Sequence, residues 1–260
     1  MSNFYKFYAE DFLYLTFKPD YDVEKRLQQL YKLKVKLQKL DTEMWKALCK
    51  LNFISKKYGR ITKKGENVWF AYYDHEDKAS YANLNYAINN DGFYIDVNAE
   101  ISRSFRRFVD SIKKRNNQFD SLINNIGFDF KVVLWTKLPL APERQNKFYW
   151  KEICEINKKN INSKSILKKI DLIEQDFEQI VKKMISEVES SYKYSPNDTK
   201  YFKRTYISGR KTKKPLSSCV IRFRYLINKD RILGMERKNL IKEIIEVSKE
   251  FKKIIDFINR

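Results

Sequence analysis

The chain has 260 residues, 43% of them hydrophobic and 15% aromatic. That excludes a disordered polymer and allows one large domain or two small ones, either with a real core. Its 53 Lys and Arg stand against 33 Asp and Glu, a net charge of +20, and an imbalance of that sign points to a polyanionic partner.

The chain is rich in Lys, Asn, Ile, Tyr and Phe, as AT-rich coding favours. That bias accounts for lysine over arginine but not for the deficit of acids. With only 6 Gly and 5 Pro, long regular elements are expected in place of flexible linkers. Cys49, Cys154 and Cys219 are far apart and read as reduced core thiols in a cytosolic protein. The N-terminal stretch MSNFYKFYAEDFLYLTFKP lacks the pattern of a signal peptide, and no run approaches the ~18 apolar residues of a membrane span. The expected compartment is the cytoplasm.

In chain order, Asp20 or Asp22 can cap a helix over 20–54. Leu30, Leu37, Met44 and Leu51 recur there at heptad spacing beside Leu33, Leu40 and Ala47. The inner YKLKVKL also alternates with period two, so a strand is the alternative. Next, the basic stretch with Lys56, Lys57, Arg60, Lys63 and Lys64 reads as a surface turn. NVWFAYYD (67–74) suits a strand. ANLNYAINNDGFYIDVNAEI (82–101) alternates on both sides of Asp91-Gly92 and predicts a hairpin. One face is then buried, and Asn83, Asn85, Tyr94, Asp96, Asn98 and Glu100 line the other, polar one.

The run 102–127 predicts a helix with Phe105, Phe108, Val109 and Ile112 inward and Gly127 at its end. A strand over 128–138, a loop of functional composition over 138–150 and a helix around 148–157 follow. An amphipathic helix over 163–191, a basic loop, a strand over 218–227 and a closing helix over 236–258 complete the chain. This order predicts an α+β fold, a β-meander with long amphipathic helices packed on the sheet, in a single domain over 1–260 with a basic loop at 200–215.

The basic loop is the leading functional signal. YFKRTYISGRKTKKP (201–215) carries Lys203, Arg204, Arg210, Lys211, Lys213 and Lys214 with no acid, and Tyr206 stands among the charges. Cations in that pattern suit phosphates, and an interleaved aromatic suits stacking or positioning. Two further basic surfaces are expected. Arg103, Arg106, Lys113 and Lys114 fall outside the apolar stripe of the 102–115 helix, and Arg222 and Arg224 share a strand face. The function expected is nucleic-acid binding, with duplex DNA favoured because the aromatic strand motif of RNA-reading modules is not seen. A setting in bacterial restriction, phage defence or counter-defence fits the size and character of the chain.

Two alternatives compete. Asp129 and Lys131, in FDFKVVLW, have the acid-x-Lys spacing of restriction-type nucleases, and Asp96 or Glu100 is the candidate second acid for a shared Mg²⁺. No cofactor is expected outside that reading. The other alternative is an inhibitor or interaction module for an acidic protein. Membrane binding is not expected. His75, among Asp74, Glu76 and Asp77, reads as a solvated turn and not a metal site, so no metal is assigned. The default for Trp45, Trp69, Trp135 and Trp150 is core packing.

Overall fold

A computed structural model describes residues 6–16, 18, 20–62, 66–78, 80–100, 102–139, 148–190 and 219–260. Among them run α1 (Glu10–Leu13), α2 (Val23–Cys49), β1 (Ser55–Tyr58), β2 (Val68–Tyr73), β3 (Asn83–Asn89), β4 (Gly92–Ala99), α3 (Ser102–Lys114) and α4 (Asn116–Asn124). They are followed by β5 (Lys131–Pro139), β6 (Phe148–Asn157), α5 (Ser163–Gln175), α6 (Phe177–Ser190), β7 (Cys219–Asn228), α7 (Lys229–Gly234) and α8 (Arg237–Asn259). The fold is α+β, as expected. Its antiparallel sheet has seven strands in the order β1-β2-β3-β4-β7-β5-β6. The chain divides into two compact units, Met1–Asn98 with Phe223–Phe257 and Ala99–Arg222 with Ile258–Arg260.

In the first unit, Asp22 caps α2 by accepting from the backbone N–H groups of Glu24 and Lys25 at 2.9 and 3.1 Å. Most of the heptad residues do what their spacing predicts: Leu30, Leu33, Leu37, Leu40 and Met44 are buried, whereas Ala47 is part-buried and Leu51, also part-buried, lies past the helix end, where Leu48 is buried instead. Asp41 sits on that same buried face. Lys56 Nζ, Tyr58 OH and Tyr72 OH each donate to its carboxylate at 2.6 Å. One acid on α2 therefore fixes β1 and β2 against the helix. Tyr86 OH and Ser248 Oγ lie 2.7 Å apart and tie β3 to α8 in the same way. The hairpin of β3 and β4 forms where the alternation predicts it, with Asn89 opposite Gly92.

In the second unit, α5 begins with a capping box between Asn162 and Ser165. Asp120 of α4 accepts from the Ser163 N–H and Oγ, joining the two helices. Phe177, Val181, Met184, Ile185 and Val188 form a buried stripe on α6, with Tyr149 of β6 packed against it. Glu187 takes bonds from Lys151 and Tyr149 of the same strand. Burial opposes the charge of Glu187, but those two donors outweigh it and lower its pKa.

Several expectations need correction. Residues 148–157 are a strand, because they pair with β5 from Lys131↔Asn157 to Pro139↔Phe148. A bulge between Leu134 and Trp135 disturbs the pairing. The helix expected over 102–127 is two helices, interrupted at Arg115 (φ −135°), and that over 163–191 is interrupted at Asp176 (φ −93°, ψ 8°). Lys56 and Lys57 belong to β1, at the end of the strand order, and not to a turn. The polar side of the hairpin is largely covered: Asn83, Asp96 and Asn98 are buried along with every residue of β4, and only Asn85 and Glu100 stay partly open to solvent. Cys49 is exposed and Cys154 half-buried, so Cys219 alone of the three is a core thiol, its pKa pushed up to about 12 by burial. None of the four tryptophans is fully buried.

Candidate nucleic-acid interface

The amphipathic pattern of α3 dictates its surface. Phe105, Phe108, Val109 and Ile112 are buried, and the 3.6-residue period turns Arg103, Arg106, Lys113 and Lys114 outward. All four are exposed. Lys113 and Lys114 lie in the last helical turn, where the helix dipole favours cations. Asp110 shares the exposed side. Yet Arg106, Lys113 and Lys114 make no ion pair with it or with any other acid among the described residues. Solvated cations held on one rigid face are suited to phosphate oxygens.

Arg222 is brought into a different setting. Its guanidinium lies 5.6 Å from the ring of Trp135 and 5.4 Å from that of Trp150. Both indoles are half-buried, so this is a cation held between two aromatic faces. The sequence shows each of these residues but not their meeting, which depends on β6 being a strand.

Arg224 is committed elsewhere. Its Nε and Nη2 donate to the two carboxylate oxygens of Asp96, each at 3.0 Å. The Asp96 side chain is 3% exposed, and the guanidinium also lies 4.4 Å from the Tyr94 ring centre. A bidentate pair of this kind fixes β7 to β4 and leaves Arg224 little freedom to meet a phosphate. The segment holding Lys203, Arg204, Tyr206, Arg210, Lys211, Lys213 and Lys214 lies outside the described residues, as does most of the predicted 138–150 loop.

The candidate nuclease residues lie on several elements. β5 begins at Lys131, so Asp129 lies just before the strand, and both are exposed on either side of the buried Phe130. Lys131 pairs with Glu155 of β6 at 2.6 Å. Glu100 follows β4, and β7 stands between β4 and β5 in the strand order. Among the described residues, no three His, Cys, Asp or Glu side chains are grouped to hold a metal ion. His75 Nδ1 lies 2.8 Å from Asp74 Oδ1, and its ring stacks on Tyr81 at 3.7 Å.

The sequence reading puts Asn85, Tyr94 and Asp96 on one hairpin face but misses Trp69, Ala71 and Ala87 beside them. The register places Trp69, Ala87 and Tyr94 side by side across β2, β3 and β4, and Ala71, Asn85 and Asp96 side by side in the next row. The pairing of β2 with β3 brings Trp69 and Ala71 to that face. No family model matches this chain, and no curated protein is similar to it.

Proposed function

We propose that this protein binds nucleic acid, duplex DNA in preference, chiefly through phosphate contacts. The observation that carries the reading is the outward face of α3, where Arg106, Lys113 and Lys114 are exposed and without an acidic partner among the described residues. The net charge of +20 supports it, since a field of that sign concentrates phosphates near the surface. So does the acid-free cluster from Lys203 to Lys214. None of the described helices is long and apolar enough to cross a membrane. An acidic protein partner would use the same cations, so the test must separate the two. Fluorescence anisotropy at low salt, with a labelled 30-base-pair duplex, is expected to show saturable binding that poly-glutamate of equal charge competes for poorly. No binding to the duplex, or equal competition by poly-glutamate, would transfer the reading to a protein partner.

A further inference from the structure

We propose that the face of the sheet formed by β2, β3 and β4 in the first unit holds one unpaired, amino-bearing nucleobase. The inference rests on the nucleic-acid reading above and names a second kind of contact beyond phosphate. It starts from the strand register. Residues directly opposite each other in an antiparallel pair share a face, as do residues two apart along a strand. Trp69, Ala87 and Tyr94 therefore form one row across the three strands, and Ala71, Asn85 and Asp96 the next. Asn83 and Asn98 follow as opposite partners one step further along.

The first row has a small residue between two large aromatics. The Trp69 indole lies over Gly59, where a Cβ would come within 2.5–2.8 Å of the indole ring, so the ring needs that missing side chain to settle there. Tyr94 is engaged by Arg224. Ala87 between them is partly open to solvent in the middle of the sheet, as are Trp69 and Asn85. A flat ring laid over Ala87 would sit between the two aromatic residues of its row.

The next rows supply hydrogen-bond acceptors. The Oδ1 atoms of Asn83 and Asn85 are buried and accept no hydrogen bond among the described residues. Asn83 is 8% exposed. An unsatisfied buried carbonyl costs free energy that a donor would recover. A ligand that brings N–H groups to these oxygens would recover that cost. Asp96 beside Asn85 is already matched by Arg224 and adds no call for a cation. A planar ring with an exocyclic amino group, as in adenine or cytosine, meets both requirements. Thymine, with the single donor N3–H and no amino group, can serve only one of the two oxygens.

The test compares single strands of equal length and phosphate number: oligo-dA, oligo-dC, oligo-dT and an abasic strand. All four present the same charge, so phosphate attraction cancels. Stacking one base on an aromatic platform strengthens binding by roughly 5- to 150-fold. The unaltered protein is expected to prefer dA and dC over the abasic strand within that range, with dT between them. Asn85→Leu should abolish the preference for dA over dT, with affinity for the abasic strand kept. Equal affinity for all four strands would overturn this inference and leave phosphate binding standing. No binding to any strand or to duplex would overturn both. Free adenosine that binds while no strand gains from its bases would assign the slot to a mononucleoside and overturn the strand-borne base.

Discussion

Asp41 and Asp96 are the carboxylates most deeply buried among the described residues, and each is matched by several donors. Removing one partner of a buried pair is costlier than never having built it, because a desolvated charge is left behind. Arg224→Ala is therefore expected to destabilise the fold by about 3–5 kcal/mol. Replacing both members, as Arg224→Met with Asp96→Leu, should cost less than Arg224→Ala alone. Urea denaturation of the three variants checks this, and equal losses for the single and the double would contradict the account. The same residues set an alkaline limit. Burial opposes the charge of Lys56, but its bonds to Asp41 and Tyr58 outweigh that and raise its pKa. Burial raises Tyr58 and Tyr72, and raises Tyr94 to about 12 with help from Asp91. A group raised on folding contributes its full stability below its unfolded value and loses it as pH climbs through the folded one. The unfolded values lie near 10. The urea midpoint should hold up to about pH 9.5 and fall from there toward pH 12. Tyr94→Phe should soften that fall.

Among the elements, the β3–β4 hairpin shows both what the chain reveals and what it hides. The alternation around Asp91-Gly92 predicts its place and turn, and Gly92 adopts a φ of +145°. A Cβ there would come within 2.2 Å of the Ile227 carbonyl oxygen, so Gly92→Ala is strained twice over. It should cost more than about 1 kcal/mol, read as a drop in thermal midpoint. The polar residues of β4 look like a solvent side because alternation shows two faces but not what covers them. The partner of Asp96 is 128 positions away, a separation no local pattern reports. For β6 the obstacle was a bulge within it, where Ile153 has no partner between Leu134↔Cys154 and Trp135↔Glu152, which mixes the two faces and blurs the period-two signal. The faces of helix α3 were legible, since its apolar stripe fixes its basic side, but its end at Lys114 was not. Replacing Arg106, Lys113 and Lys114 with Ala should weaken duplex binding and leave the thermal midpoint within about 1 kcal/mol of its original stability, as surface changes do. Replacing Lys32 and Lys46, exposed on α2, should do much less. Lys36 would be a poor control, because it bonds to Asp11 and to the Lys6 carbonyl oxygen. Equal effects of the α2 and α3 sets would mean diffuse attraction without a site.

For the molecule as a whole, the α+β class followed from the order of periodic segments, and the expectation of a polyanion followed from charge. The bidentate use of Arg224 and the flanking of Arg222 by tryptophans did not, because each depends on partners distant in the chain. Of the strand arginines first read as phosphate ligands, the structure leaves Arg222 beside Trp135 and Trp150 and binds Arg224 to Asp96. The phosphate account therefore rests on α3 and on the 203–214 cluster, and Arg204→Ala with Arg210→Ala and Lys211→Ala should add to the α3 loss. The measurement that tests it most directly is duplex affinity across a salt series. Each neutralised phosphate lowers the slope of log K against log[salt] by about 0.9. Contacts from Arg106, Lys113 and Lys114 alone then predict a slope of about −2.7 or steeper, reduced by that amount in the triple variant. A slope near zero, or one that the triple variant leaves unchanged, would contradict phosphate binding through this face.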